Sequence, residues 1–450
     1  MNIIILGGGE IGLHMAELFC SQDHNVSLIE RDERVVAEAN DKLDVRVIEG
    51  NGASVTALEE AGVSECDAFF GLASSSSTNL VAASLSKALG AKKAVCRVHS
   101  EVQQEQWLFD FRGRFDVDHL FSSERLAAVE LAKYIRNPDC LVVEEIARGR
   151  IELQQIQLPA GSPAVNRPLR DLEIPARVRI GSVHRGGVVI VPDGEESLLA
   201  GDVVTVFGAS RAIESLAPLL RGRPAPGDDV RVVIFGGGAY GFALAQILEG
   251  GGRFRTRIFE KDPKRCAHLA SVLQRTTLIN ADATSVRQLR EEQVGEADFF
   301  VSATPDDEDN VMTCLQAKDL GVGHCLTLVH RADYADAVTR AGPRLGILGA
   351  VSPRVATGRD LVRFATSDRV HTLLTLPGDI EVVEFVVRAG GPLEGKRVDG
   401  VTWPKGCGLV SLSSGSSAVV PAAGDVFKTG DVVAALVSVP ARKALSRLTT

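Results

Sequence analysis

Nowhere does the chain approach the roughly 20 uninterrupted apolar residues that a bilayer-spanning helix needs, so it does not read as an integral membrane protein. It also lacks a long Lys/Arg cluster or a basic stripe with interleaved aromatics. With 49 Lys plus Arg against 58 Asp plus Glu, a formal charge of −9, nucleic acid is a poor partner to expect. Eight cysteines (Cys20, Cys66, Cys96, Cys140, Cys266, Cys314, Cys325 and Cys407) form no CxxC pair and mostly lie in apolar segments. They read as buried reduced thiols, not as metal ligands or disulfides. The nine histidines give no HExxH pairing, and no GxSxG elbow occurs, which leaves metal and hydrolytic catalysis without sequence support. The first apolar run, from Asn2 to Leu6, has no charged leader before it, and a cytoplasmic location is expected.

What is present is 45% hydrophobic and 24% charged, enough apolar surface for several globular cores. Two glycine turns stand out, Gly7-Gly8-Gly9-Glu10-Ile11-Gly12 and Gly236-Gly237-Gly238-Ala239-Tyr240-Gly241. The interval between them recurs in Gly161-Ser162-Pro163 against Gly390-Gly391-Pro392, and in Gly201-Asp202-Val203-Val204 against Gly430-Asp431-Val432-Val433. One coincident loop cannot explain three matches, so the repeat unit is about half the chain.

In each half, short β-type runs alternate with helical stretches at the spacing of parallel βαβ units. The first half has runs at residues 3–6, 26–29, 45–48, 68–72 and 94–98, the second at 232–235, 256–259, 277–279, 299–302 and 325–329. Polar helical segments follow near 122–136 and 354–366, then short alternating strands with turns and a final helical stretch. The expected fold class is α/β, with two doubly wound Rossmann-type parallel-sheet domains, each followed by a small β-rich α+β domain. The expected boundaries are 1–138, 139–220, a Pro/Gly/charged linker at 221–230, 231–368 and 369–450.

In a G-x-G-x-x-G turn the first glycine allows the bend, the second lets backbone approach a pyrophosphate, and the third lets helix pack on strand. Gly7, Gly9, Gly12 and Gly236, Gly238, Gly241 hold those places, and an acid follows roughly 20 residues later in each half, Glu30 and Glu260. A carboxylate there accepts ribose hydroxyls and repels a 2′-phosphate, favouring NAD over NADP; Arg31 and Lys261 beside the acids read best as surface counter-charges. Beyond the third strands lie Asn51 and Gly52, and Asp282, which can face an adenine or cap the next helix. Beyond the fourth lie Ala73, Ser74 and a serine run to Asn79, opposite Thr304 to Asn310. Arg97, in an otherwise apolar run, can offer a guanidinium to a phosphate, whereas its counterpart is Leu328, so the two sites are chemically unequal. A P-loop look-alike, Gly390 to Arg397, has Arg397 where Ser or Thr is required and is set aside.

These doubled turns, the acids Glu30 and Glu260, Leu58-Glu59-Glu60-Ala61-Gly62 before Asp67, the loops ending in Asn79 and Asn310, Arg97 and the two Gly-Asp-Val-Val modules resemble the TrkA family of tandem RCK units. The resemblance spans essentially the whole chain. It implies a non-enzymatic peripheral subunit that binds NAD(H) and ATP or ADP, assembles as a dimer and a ring-like tetramer, and gates a potassium-translocating membrane subunit at the inner face of the cell membrane. By position it places Gly7, Gly8, Gly9, Glu10, Ile11, Glu30, Asn51, Gly52, Ala73, Ser74 and Arg97 in a first site. It places Gly236, Gly237, Gly238, Ala239, Tyr240, Glu260, Asp282, Thr304 and Asn310 in a second. The family loop Thr-x-x-Asp-Glu-x-Asn is intact in the second half as Thr304, Asp307, Glu308 and Asn310, while Ala73, Ser76 and Ser77 depart from it in the first. Two other readings stay open on the residues alone. One is an NAD-dependent dehydrogenase, although the β-rich modules offer no recurring proton donor and substrate cation; the other is a scaffold with vestigial nucleotide sites.

Overall fold

The computed structural model describes residues 1–105, 108–137, 140–147, 150–190, 192–222, 229–250, 252–365, 371–376, 380–415 and 417–449. Apolar runs buried on both faces, such as Ile3 to Leu6 in β1, favour parallel strands covered by helices. The first half runs β1 (Asn2–Leu6), α1 (Glu10–Cys20), β2 (Asn25–Glu30), α2 (Glu33–Lys42), β3 (Arg46–Glu49), α3 (Val55–Glu60), β4 (Ala68–Gly71), α4 (Ser76–Ala88), β5 (Lys93–Arg97), α5 (Ser100–Gln104), α6 (Phe111–Phe115), β6 (His119–Phe121) and α7 (Ser123–Arg136). A β-rich module follows: β7 (Cys140–Ile146), β8 (Ile151–Gln157), β9 (Arg179–Arg185), β10 (Val188–Ile190), β11 (Val203–Gly208) and α8 (Ser210–Arg221).

The second half repeats the order as β12 (Val230–Phe235), α9 (Ala239–Glu249), β13 (Phe254–Phe259), α10 (Pro263–Val272), β14 (Thr277–Ile279), α11 (Val286–Glu291), β15 (Phe299–Ser302), α12 (Asp307–Asp319), β16 (His324–Leu328), α13 (Ala332–Leu345), β17 (Ile347–Val351) and α14 (Pro353–Ala365). Its β-rich module comprises β18 (His371–Leu376), β19 (Ile380–Val386), β20 (Cys407–Ser414), β21 (Ser417–Val419), β22 (Val432–Ser438) and α15 (Arg442–Thr449).

Both large sheets are parallel and six-stranded, ordered β3-β2-β1-β4-β5-β6 and β14-β13-β12-β15-β16-β17. The order reverses beside the first strand of each half, and ligands bind at such switch points, outside the carboxyl ends of the strands. The α/β expectation is borne out. The sixth strands were missed: His119–Phe121 is too short to show a period, and Gly349 breaks the apolar pattern of β17. A Cβ at that glycine would lie 3.1 Å from the Tyr134 ring of α7, a tight approach.

Each β-rich module is a five-stranded antiparallel sheet, ordered β10-β9-β11-β8-β7 and β18-β19-β22-β20-β21, which is one topology drawn twice. Register shifts recur at matching places, at Thr205/Val206 and Leu409/Ser411, so the repeat extends to irregularities of the ladder.

The described residues form two compact units, each built from both repeats: Met1–Ile135 with Asp228–Leu361, and Arg136–Gly227 with Val362–Thr450. Within the first unit the last helices are exchanged. Ala127, Ala128, Leu131, Ala132 and Ile135 make a helical stripe on α7 that joins one buried core with Val232, Ile234, Leu244 and Leu248 of the second repeat. In return α14 lies on α1. A Cβ at Gly358 would come 3.3 Å from His14 Nε2, and His119 Nε2 lies 3.1 Å from Asp360 Oδ2. The sequence placed both helices but gave no sign of which sheet each would cover.

Of the linker expected at 221–230, Arg221 ends α8, Gly222 takes the left-handed turn that closes it (φ +70°), and Val230 already belongs to β12; residues 223–228 lie outside the described residues. Thr366, the expected end of the polar helix, lies outside them too. None of the eight cysteines is in a disulfide, and five are buried. No helix among the described residues is long and apolar enough to cross a membrane, and no group of three or more His, Cys, Asp or Glu among them is placed to hold a metal.

Candidate nucleotide sites

The glycine turns join β1 to α1 and β12 to α9 with matching geometry. Gly7 and Gly236 have φ of +100° and +101°, a left-handed conformation that L side chains rarely adopt. A Cβ on Gly12 would stand 1.8 Å from Gly7 O, and one on Gly241 1.9 Å from Gly236 O, so helix and turn are in direct contact there. At Gly9 and Gly238 a Cβ would meet nothing within 4 Å. The middle glycine of each motif therefore opens onto free space, which is what an approaching pyrophosphate needs.

Gly9 and Gly238 are also the N-caps of α1 and α9, and neither helix receives a side-chain cap. By contrast α2, α4, α10 and α12 are capped by Asp32, Ser75, Asp262 and Asp306. Uncapped N–H groups at the positive end of a helix dipole, about half an elementary charge, form an anion-binding end. Glu10 occupies the first position of α1, while Ala239 occupies that of α9.

The acids close each turn from below. Glu30 Oε2 accepts from Gly8 N at 2.5 Å, and its Oε1 accepts from the N–H groups of Arg31 and Asp32 at 2.7 and 3.0 Å. Glu260 does likewise, accepting from Gly237 N at 3.0 Å and Asp262 N at 2.8 Å. Each carboxylate is thereby aimed by backbone and keeps lone pairs for ribose hydroxyls. Asn51 accepts from Ala53 N in an Asx turn (3.1 Å), and a Cβ on Gly52 would sit 2.0 Å from Leu6 Cδ1. Asp282 accepts from both N–H and O–H of Thr284, which hold its carboxyl below the usual range.

Asn79 and Asn310 do not face open space. Both are fully buried; their Oδ1 atoms accept from Ala73 N and Thr304 N at 3.0 Å, and their Nδ2 groups donate to the carbonyls of Ala73 and Arg97, and of Thr304 and Leu328. Each asparagine holds the fourth-strand loop to the end of the fifth strand, so it positions Ala73-Ser74 or Thr304, with its polar atoms engaged within the protein. Thr304 Oγ1 donates to Asn310 Oδ1 at 2.7 Å. Ser74 O lies 2.9 Å from His99 Nε2. Asp307 accepts from the backbone of His330 and Arg331.

Arg97, expected in the first site, is paired within the protein. Its Nη2 lies 3.3 Å from Glu124 Oε1, and the other Glu124 oxygen accepts from Ser122 Oγ at 2.6 Å. Burial alone would raise the Glu124 carboxyl; the Ser122 hydroxyl, its own N–H and the Arg97 guanidinium outweigh that and hold it below the ordinary value. Tyr240 stands in the same neighbourhood: burial, then the Glu124 carboxylate, push its phenol up to about 12. Its ring meets that of His330 edge-on at 5.5 Å. Opposite, Arg354 of α14 reaches the first glycine turn, with Nη2 3.3 Å from Glu10 Oε2. Glu124 and Arg354 are the two residues that sequence reasoning missed. Each follows a sixth strand that was itself missed, and only the helix exchange brings Arg354 to the first turn.

The TrkA-N domain family matches residues 3–111 and 232–353, and the TrkA-C domain family matches residues 153–221. The chain is 30% identical over 425 residues to a Trk system potassium uptake protein TrkA homolog of Archaeoglobus fulgidus, covering 94% of this chain and 93% of that one. It is 29% identical over 440 residues to Trk system potassium uptake protein TrkA of Haemophilus influenzae, covering 96% and 94%. In fold it is similar to the GsuK channel bound to NAD, with a TM-score of 0.63 at 16% identity, covering all of this chain and 78% of that one. GsuK bound to ADP gives 0.52 at 12% identity, over 81% and 69%.

Proposed function

The chain belongs to the TrkA family, and from that membership we propose that it is the peripheral nucleotide-binding regulatory subunit of a Trk-type potassium uptake system, working at the cytoplasmic face of the membrane. The observation that carries the reading is the pair of turns in which Gly9 and Gly238 stand open before uncapped helix ends, each with a backbone-aimed acid, Glu30 or Glu260. A dinucleotide or adenine nucleotide supplies the phosphates and ribose hydroxyls that such a cradle holds. NAD(H), ATP and ADP are the proposed ligands. In the first repeat Gly7 to Gly12, Glu30, Asn51, Gly52, Ala73 and Ser74 would surround the ligand; in the second, Gly236 to Gly241, Glu260, Asp282 and Thr304. Asn79 and Asn310 act by positioning. The four-domain partition at 1–138, 139–220, 231–368 and 369–450 belongs to the same proposal.

The role is regulatory and non-enzymatic: binding favours one arrangement of the paired nucleotide domains, and an even-numbered homo-oligomer passes that bias to the potassium-translocating membrane subunit. A ligand shifts such an equilibrium only by its differential affinity, and a tenfold preference is worth about 1.4 kcal/mol, so several sites acting together give the sharper response. Potassium flux into vesicles holding the membrane subunit, with and without this chain, tests the reading. NADH or ATP should change flux only when the chain is present, and Gly9→Asp combined with Gly238→Asp should abolish the nucleotide effect. Flux insensitive to every nucleotide would overturn it.

A further inference from the structure

We propose that Arg354, carried by the second repeat, is the residue of the first nucleotide site that senses how many phosphates the ligand bears. The inference rests on the nucleotide-binding role above and assigns one specificity determinant within it. The first turn of α14 lies against the first glycine turn, where Arg354 Nη2 is 3.3 Å from Glu10 Oε2, and Glu10 is the residue next to Gly9. The Arg354 side chain is partly exposed, its Nε buried and without a hydrogen-bond partner. Gly358, one turn on along α14, packs against His14 of α1, whose imidazole is held below its ordinary value by burial and then by the Arg354 charge.

The existing ion pair is easily exchanged. The Glu10 side chain is 65% exposed, and pairs of that kind contribute little in water. A phosphate at the uncapped end of α1 would repel the Glu10 carboxylate and offer the same guanidinium a more highly charged, fork-matched partner. The advantage grows with each phosphate. The second site is built differently: α7 begins as Ser123-Glu124 where α14 begins as Pro353-Arg354, the Glu124 carboxylate is held by Arg97, and Ala239 replaces Glu10. A terminal phosphate in the first site would therefore tie the two repeats together through Arg354.

The test is calorimetric titration of the full chain carrying Gly238→Asp, so that only the first site reports, with adenosine, ADP and ATP as probes. Affinity should rise with phosphate number. Arg354→Gln should weaken ATP by about tenfold, equivalent to about 1.4 kcal/mol, and leave adenosine unchanged, while Arg354→Lys should recover part of the loss. Glu10→Gln removes the carboxylate that competes for the Arg354 guanidinium and should strengthen ATP, a readout that stands even where Arg354→Gln folds poorly. Unchanged ATP affinity in Arg354→Gln, an equal loss for adenosine, or weaker ATP binding in Glu10→Gln would overturn the inference while the nucleotide reading stands. Failure of the Gly238→Asp chain and of the unsubstituted chain to bind any probe would sink both.

Discussion

Gly9 and Gly238 stand in open space while Gly12 and Gly241 are pressed against carbonyl oxygens, so glycines of one motif answer to different physics. Gly12→Ala has to push α1 off its turn and should destabilise the first repeat by about 1–3 kcal/mol, the range for overpacking a tight contact; an unchanged urea midpoint would refute the contact. The roles of the turn glycines and of Glu30 and Glu260 were legible because spacing alone specifies them. Asn79 and Asn310 were legible as important positions but not as loop clamps, since their partners are backbone groups of another strand. Glu124 has a pH signature. Its carboxyl lies below the ordinary 4.5 in the folded chain, so its stabilising effect is complete above that value and is lost as pH falls through the lower, folded one. Glu124→Gln should therefore flatten part of the acid limb of the stability curve below about pH 4.5 and, through the released Arg97, lower stability at neutral pH. An identical acid limb, measured by urea unfolding from pH 2 to 7, would contradict this.

At the level of elements, five strands of each large sheet were readable as apolar runs, and the sixth were not, being short or broken by Gly349. The helices after them were readable too, but helical periodicity reports only that a stripe is buried, never against which sheet. The stripe from Ala127 to Ile135 lies in the core of the second repeat. Leu131→Ala should therefore cost about 2–5 kcal/mol, as for a fully buried leucine, and the loss should be felt in β12 and β13. Amide hydrogen exchange checks this: faster exchange in 230–235 and 254–259 is expected, and faster exchange confined to β1 and β2 would refute the exchange of helices.

Across the whole molecule the duplication was the most legible property, because three separate loops share one interval, and it holds down to matching sheet irregularities. The inequality of the repeats was half legible. The contrast of Arg97 with Leu328 was visible in the sequence, yet the cation that reaches the first turn is Arg354, which comes from the other repeat. Nucleotide binding at both glycine turns is the proposal on which the rest depends. Calorimetric titration with NADH, NAD, ADP and ATP of the unsubstituted chain, of Gly9→Asp and of Gly238→Asp tests it most directly, because a Cβ at either position meets nothing within 4 Å. Saturable binding that falls by one class of site in each variant, with unfolding midpoints unchanged, is the predicted result; binding that survives both substitutions together, or none in the unsubstituted chain, would contradict it.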